Sequence, residues 1–156
     1  MGVIADRLVE LGVTLPSVAA PLATYVPAVQ SGKYVYTSGQ LPFVDGVLPA
    51  RGKVGEGVGL VAPADAAGYA RTAVLNALAA VGALIGDLDQ IKRVVKVVGF
   101  VASDPSFTGQ PLVVNGASDV LGEIFGTAGI HARSAVGVAV LPLDSPVELE
   151  LLVELA

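Results

Sequence analysis

Apolar residues recur at helical spacing from Ile4 to Leu11, which predicts a short helix near the start of the chain. The next segment, from Gly12 to Thr24, is rich in proline and alanine, and we expect it to wrap irregularly over the surface. Two runs rich in β-branched and aromatic residues, 25–29 and 33–38, then flank a Gln-Ser-Gly turn. This arrangement predicts a β-hairpin.

Two longer helices are predicted further along the chain. Segment 41–61 is rich in glycine and proline and precedes the first of them as a long loop with little strand content. Pro63 begins a helix that runs to about Ile85 and stops at Gly86. Its later part is almost wholly apolar, so we expect burial on most sides. The second helix covers residues 111–125 and also ends before a glycine.

Three further segments predict strands. Segment 91–102 (IKRVVKVVGFVA) is the strongest, and because its second half does not alternate we expect a central strand covered on both faces. Segments 132–141 and 146–155 alternate and form the last pair. The order β-β-α-β-α-β-β predicts an α+β fold with both main helices on one face of a mixed sheet.

In the last two predicted strands, side chains alternate between two faces, with valine and leucine on one face and charged or small residues on the other. The residues that share a face with Arg133 are Ala135, Gly137 and Ala139. In the second strand Glu148 and Glu150 share a face. We expect the valine and leucine faces to cover the helices, which would leave the arginine, the glutamates and the small residues together. Such a face indicates either a subunit interface that binds an anion or a solvated surface with an Arg–Glu pair.

The composition is apolar for a chain of 156 residues, with 53% hydrophobic residues and a mean hydropathy of +0.72. The length fits one domain, and the excess of apolar surface favours self-association. A membrane span is the rival explanation. However, the longest uncharged run, from Leu11 to Gly32, contains Pro16, Pro21 and Pro27, which disfavour a spanning helix.

Several kinds of chemistry are excluded or disfavoured by the residue counts. The chain has no cysteine and one histidine, which excludes disulfides and thiolate catalysis and disfavours a metal site. Its net charge of −5 and its scattered basic residues disfavour nucleic-acid binding. The chain does not begin with a basic segment followed by an apolar one, so we expect no signal peptide and a cytoplasmic location.

Segment 36–42 (YTSGQLP) resembles the SGQ-x-P signature of the RidA/YjgF family, also labelled endoribonuclease L-PSP. Further segments that resemble family motifs are 114–115 (VN), 132–136 (ARSAV), 141–142 (LP) and 147–150 (VELE). The motifs follow one another in the family's order from about Tyr25 onward. The N-terminal helix and the long loop after the signature resemble the larger branch of that family.

The resemblance implies a chorismate-mutase-like fold of the bacillus type, assembled as a homotrimer with ligand clefts between subunits. We expect one domain over residues 1–156, with a helix and wrap in 1–24 and the core in 25–156. The archetypal activity is hydrolysis of reactive enamines and imines, such as 2-aminoacrylate, to a 2-oxo acid and ammonia. Neither a cofactor nor a metal is implied, and the expected partner is a small metabolite that carries a carboxylate.

Two residues are implied to be catalytic by the resemblance. Arg133 matches the arginine that binds the substrate carboxylate, for which a planar guanidinium offers two parallel N–H groups. Its alternative role is a salt bridge to Glu148 or Glu150. Glu148 matches the glutamate that positions or activates the attacking water, and its alternative role is a sheet-face carboxylate paired with a cation.

The remaining matches concern substrate binding. Gly39 matches a backbone N–H donor near the ligand, although it could equally be a turn glycine. Ser38 is expected to line the pocket or to cap a strand end. Tyr25 is expected at the cleft mouth or in ordinary packing. For Asn115 we expect a structural hydrogen bond.

Two positions depart from the archetype. Ala135, expected to line the substrate pocket, stands where many members have cysteine, and Gly137 stands where many have glutamate. His131 is expected to be a structural or surface residue, with tuning of the pocket's charge as its alternative. Hydrolytic deamination of small imino or enamino acids is the leading hypothesis. Non-catalytic binding of a carboxylate metabolite is the alternative, and endoribonuclease activity is disfavoured by the acidic composition.

Overall fold

The computed structural model describes residues 2–18 and 23–156, in which three α-helices and five β-strands lie. The helices are α1 (Val3–Glu10), α2 (Pro63–Ile85) and α3 (Gln110–Phe125). The strands are β1 (Ala28–Ser31), β2 (Tyr34–Thr37), β3 (Ile91–Ala102), β4 (Ala132–Val138) and β5 (Val147–Leu155). Their order is the predicted one.

Most element boundaries agree with the hydrophobic pattern. Helix α2 ends at Gly86, whose φ of 83° suits a residue without a side chain, and β3 covers the whole predicted segment. Strand β4 is shorter than predicted. The predicted loop 41–61 makes only isolated β-bridges. Of the predicted wrap, residues 19–22 lie outside the described residues.

The strands form one mixed sheet in the order β1-β2-β5-β3-β4. Neighbouring strands are antiparallel except β3 and β4, which run parallel. Helices α2 and α3 pack on one face of the sheet, and apolar side chains from the two layers form the core. The predicted fold class, a mixed sheet with two main helices on one face, is confirmed.

Buried alanines keep helix α2 narrow enough for α3 to pack closely against it. The buried alanines of α2 are Ala66, Ala70, Ala73, Ala77, Ala79 and Ala80. At the closest approach, Gly116 of α3 lies over the backbone of Ala67, where an added Cβ would collide with the carbonyl oxygen. Helix α2 has the length and composition of a membrane span, but it packs against α3 and β5 in the core. It is the central helix of the helical layer.

The side chain of Arg133 lies on the helix side of the sheet, which corrects the predicted face of β4. Arg133 is paired in parallel register with Val97, which is fully buried, and its guanidinium reaches α3. The small residues of β4 make room for this helix, because a Cβ on Gly137 would lie 2.8 Å from Nε2 of Gln110. Val136 points to the opposite face and is 43% exposed.

We call the opposite side of the sheet the outer sheet face, and no helix of the described residues packs on it. Its exposed or half-buried apolar side chains are Val29, Tyr36, Val98, Phe100, Val136 and Leu152. Strand β5 adds Glu148 and Glu150 to this face and buries Val147, Leu149, Leu151 and Val153 on the other, as predicted. In a single chain only one face of β3 is covered, so the prediction that both faces are covered is wrong for the monomer.

Candidate active site

Neutral acceptors on helix α3 hold the Arg133 guanidinium. Its Nη1 donates to Oδ1 of Asn115 at 2.8 Å and to Oγ of Ser118 at 3.1 Å. Its Nη2 donates to the carbonyl oxygen of Pro111 at 3.3 Å. Asn115 thus makes the expected structural hydrogen bond, and its partner is the candidate ligand-binding arginine itself.

The positive charge of Arg133 is not balanced by a carboxylate in the described part of the chain. Ion pairs among those residues join Arg7 to Glu10, Arg71 to Glu123 and Lys92 to Glu154. The alternative salt bridge to Glu148 or Glu150 does not form, because both glutamates lie on the outer sheet face. A half-buried guanidinium with only neutral acceptors retains its attraction for an external anion.

His131 is linked to Arg133 through Ser118. Its Nε2 lies 2.9 Å from Oγ of Ser118, and its Nδ1 lies 2.6 Å from the carbonyl oxygen of Gly129. His131 is therefore half-buried and bonded on both ring nitrogens. These contacts fit the structural role expected for His131. Its connection to Arg133 was not predicted from the sequence.

A cavity of about 730 Å³ lies where β5 begins and Gln40 bridges to Leu149. Of the residues predicted to form the site, those that line it are Tyr25, Gly39 and Glu148. Other lining residues include Gln40, Leu41, Phe43, Asn76, Pro142 and Leu143. The cavity is mostly apolar, with the Glu148 carboxylate among its few charged groups.

The Glu148 carboxylate is confined by the backbone of the SGQ signature. A Cβ on Gly39 would collide with Oε1 of Glu148 and lie 2.9 Å from its Cδ, so only glycine leaves room for this rotamer. Burial raises the pKa of the Glu148 carboxyl above its ordinary value, and the negative charge of Glu150 adds to the rise. Glu148 is therefore a better proton acceptor than an exposed glutamate.

Loops distant in sequence build the other walls of the cavity. The amide of Asn76 on α2 donates to the carbonyl oxygens of Leu41 at 2.9 Å and Phe43 at 3.1 Å, which fixes the loop after the SGQ signature. Asn76 was missed in the sequence, although an amide within the apolar run of α2 was a usable signal. A second wall comes from Pro142 and Leu143.

Leu143 and Asp144 adopt left-handed backbone conformations, with φ of 57° and 59°. Non-glycine residues adopt such conformations only where their surroundings enforce them. Here the side chain of Arg51 donates to the Leu143 carbonyl, and the N–H of Gly52 donates to the Asp144 carbonyl at 2.8 Å. The loop 51–52 therefore holds this wall of the cavity in place.

The remaining predicted residues do not line the cavity. The Ser38 hydroxyl donates to the Val26 carbonyl at 2.7 Å, as expected for a residue that caps a strand end. Ala135 is paired with the buried Gly99 and packs on the helix side of the sheet with Arg133. One chain thus brings Tyr25, Gly39 and Glu148 together and leaves Arg133 and Ala135 on the other face.

Comparisons with known proteins agree with this architecture. Residues 5–155 match the family described as "YjgF/chorismate mutase-like, putative endoribonuclease". Protein TCP17 of Trypanosoma cruzi is 46% identical over 155 residues, which cover 99% of this chain and 95% of that protein. The crystal structure of protein Atu1372 from Agrobacterium tumefaciens is also 46% identical, with a TM-score of 0.89 and coverage of 99% of this chain and 93% of that one.

A more distant structural relative is E. coli TdcF, which was solved with bound serine. It is 25% identical to this chain, with a TM-score of 0.64 and coverage of 92% of this chain and 96% of that one. The family match and the alignments with TCP17 and Atu1372 all extend over nearly the whole chain. This chain belongs to the YjgF/chorismate mutase-like family.

Proposed function

We propose that this protein hydrolyses small reactive imino and enamino acids to 2-oxo acids and ammonia. The observation that carries the proposal is the half-buried Arg133 guanidinium, which is held by neutral acceptors and keeps its charge for an external carboxylate. The bound serine in E. coli TdcF supports a small ligand that carries a carboxylate. We expect the reaction to occur in the cytoplasm.

The chemistry requires little beyond positioning. The enamine first gains a proton on carbon and loses one from nitrogen to become the imine, and water then adds to the C=N carbon to give a carbinolamine. Cleavage of its C–N bond releases ammonia and leaves the 2-oxo acid. Arg133 fixes the carboxylate, and Glu148 accepts a proton from the water during its attack and passes it to the nitrogen that leaves as ammonia. No hydrogen bond between described residues uses the Gly39 N–H, so this group is free to orient substrate or water.

The site requires more than one chain, because Arg133 and Glu148 lie on opposite faces of the same sheet. We propose that a homotrimer brings the Arg133 side of one subunit to the Glu148 cavity of its neighbour. The apolar outer sheet face supports this assembly, since its exposed or half-buried valine, tyrosine and phenylalanine side chains favour burial between subunits.

We expect sedimentation equilibrium to give three times the protomer mass of 15.6 kDa. Replacing the outer-face residue Val136 by aspartate should dissociate the trimer and abolish activity while α-helical circular dichroism is retained. A monomeric wild type with full activity would contradict the shared site.

The function is tested directly with 2-aminoacrylate. A pyridoxal-phosphate enzyme generates this compound from serine in a coupled assay, and the release of 2-oxo acid is followed with and without the protein. We expect faster release in proportion to protein concentration. Rates equal to the spontaneous background across a panel of imines would reject the enzyme.

A second candidate function is non-catalytic binding of a carboxylate metabolite. It is favoured by Ala135 and Gly137, which replace the cysteine and glutamate of many archetypal members. A rise in melting temperature with added pyruvate, together with no turnover of any imine, would select this function. RNA cleavage receives no support from the charge, because the net charge is −5 and the basic residues are scattered.

Replacing Gly39 by alanine should lower activity more than stability. The added Cβ would collide with the end of the Glu148 side chain, which can rotate away at little cost to the fold. Its carboxylate would then leave the position from which it reaches the water. We expect kcat/KM to fall roughly tenfold to a hundredfold, as misplacement of a catalytic group does, with a melting temperature close to that of the wild type. An unchanged rate would show that the Glu148 position is unimportant.

The pH profile should show an acid limb that belongs to Glu148. The base must be ionised, and burial raises its pKa, so kcat/KM should fall as the pH drops through a pKa above that of an ordinary glutamate. Glu148→Gln should be roughly a hundredfold slower and lack that limb.

The stability of the fold should depend on pH in the opposite direction to the activity. The contribution of Glu148 to the free energy of unfolding is present at low pH and is lost as the pH rises through its raised pKa. Urea unfolding of both proteins at matched pH values checks this second effect.

A further inference from the structure

A continuous line of hydrogen bonds runs from the candidate ligand-binding arginine to the one histidine of the chain. It connects Nη1 of Arg133 to Ser118 at 3.1 Å, Ser118 to Nε2 of His131 at 2.9 Å, and Nδ1 of His131 to the carbonyl oxygen of Gly129 at 2.6 Å. These residues come from β4, from α3 and from the turn between them. Nothing in the proposed reaction uses His131 or Ser118.

The direction of each hydrogen bond follows from its end groups. The Gly129 carbonyl can only accept, so Nδ1 of His131 carries a proton. In the neutral ring Nε2 then accepts from the Ser118 hydroxyl. The guanidinium of Arg133 can only donate, so the Ser118 oxygen accepts from it while its own proton points to His131. The histidine tautomer therefore fixes the hydroxyl in the orientation that suits the arginine.

The hydrogen bonds of Arg133 leave a defined pair of donors for a ligand. A guanidinium has five N–H groups. Described residues accept from both N–H groups of Nη1 and from one of Nη2. The remaining N–H groups, on Nε and Nη2, belong to neighbouring nitrogens, and a carboxylate accepts two such bonds in parallel. The orientation of the guanidinium thus decides whether these donors meet the carboxylate.

We propose that His131 is a positioning residue that fixes Arg133 through Ser118 for binding of a carboxylate. The proposal rests on the proposed function, because it requires that Arg133 bind the substrate carboxylate. His131 does not touch the ligand. It holds the Ser118 hydroxyl as an acceptor for Nη1 and so keeps the donors on Nε and Nη2 turned toward the ligand. A purely structural histidine would stabilise the turn without affecting the ligand.

Nuclear magnetic resonance of the imidazole tests this proposal directly, since one histidine gives one set of ring signals without further assignment. In the wild type, nitrogen shifts should show a proton on Nδ1. Titration with 2-oxobutanoate, a product-like 2-oxo acid, should move the ring signals of His131 as Arg133 binds the carboxylate. In Ser118→Ala the ligand should bind roughly threefold to tenfold more weakly, the loss expected for one hydrogen bond, and the ring signals should no longer respond.

Three further variants separate positioning from general stability. His131→Gln retains an acceptor for the Ser118 hydroxyl and should bind 2-oxobutanoate within about twofold of the wild type, whereas His131→Phe should lose affinity as Ser118→Ala does. Ser106→Ala is the matched control, because it removes an exposed hydroxyl bonded to Asp104, and it should leave binding unchanged. Calorimetry gives the affinities, and thermal melts show that each variant is folded.

The outcomes distinguish this proposal from the proposed function. If the wild type neither binds 2-oxobutanoate nor accelerates the hydrolysis of 2-aminoacrylate, both fail, and if it is active but does not bind 2-oxobutanoate, the positioning role for carboxylate binding fails alone. If it binds but the His131 signals stay fixed, or if Ser118→Ala binds with wild-type affinity, only the positioning role is overturned. Should His131→Phe fail to fold, the wild-type titration and Ser118→Ala still decide the result.

Discussion

Replacing Arg133 by alanine will lower kcat/KM for 2-aminoacrylate by at least about a hundredfold. Two charge-assisted hydrogen bonds to the carboxylate are lost, and together they contribute about 3 kcal/mol or more, which corresponds to a factor of a hundred or greater. The fold should survive, because the half-buried acceptors Asn115 and Ser118 can bond to water once the guanidinium is gone. The coupled 2-oxo acid assay measures the effect.

Arg133→Lys is the matched control for the loss of charge. Lysine keeps a positive charge but cannot offer the planar pair of donors, so we expect an activity between those of the wild type and the alanine variant. Sedimentation of each variant must show the wild-type mass, since β4 lies at the edge of the sheet. Equal rates for the wild type and Arg133→Ala would end the proposed mechanism.

Replacing Gly116 by alanine should cause a large loss of stability. The new Cβ would collide with the carbonyl oxygen of Ala67 and would lie 2.7 Å from its carbonyl carbon and 3.1 Å from its Cα. These are backbone atoms of α2, which cannot rotate away as a side chain can. Helices α2 and α3 must separate, and we expect a cost of about 3 kcal/mol, the upper end of the usual range for overpacking, because backbone atoms are in the way. We expect the melting temperature to fall by roughly 10 °C.

Gly122 supplies the control within the same helix. A Cβ at that position meets no atom of the described residues within 4 Å, so Gly122→Ala should be neutral or stabilising by up to about 1 kcal/mol because alanine favours the helix. Urea unfolding of both variants at equal protein concentration measures the difference. If Gly116→Ala were as stable as Gly122→Ala, the close contact between the helices would be refuted.

Local pattern predicted most of the fold. The proline that begins α2, the glycine after it and the apolar second half of β3 are signals that lie within or beside each element. The face of β4 was predicted wrongly because small residues can make room either for another subunit or for a helix of the same chain. Ala135 and Gly137 leave space, but only the docking of α3, which depends on contacts distant in sequence, decides that a helix of the same chain fills it.

The candidate site was predictable only where a family motif marks it. The SGQ and VELE segments pointed to Gly39 and Glu148, which line one cavity. Asn76 and Leu143 belong to no sequence motif that indicates a ligand site. They line the cavity because α2 and the 142–144 turn converge there. The link from Arg133 to His131 through Ser118 was likewise hidden, since helix α3 places Ser118 between two residues of a later segment.

The left-handed turn at Leu143 and Asp144 has a consequence for the thermodynamics of ligand entry. Its conformational cost is met during folding, through the hydrogen bonds to Arg51 and Gly52. This wall is therefore preorganised, and a ligand that packs against it loses little additional chain entropy on binding. Replacing Leu143 by glycine would make the backbone of this turn more flexible in the ligand-free protein. Ligand affinity should then drop because binding costs more conformational entropy, while the contacts of the ligand with the other walls stay the same.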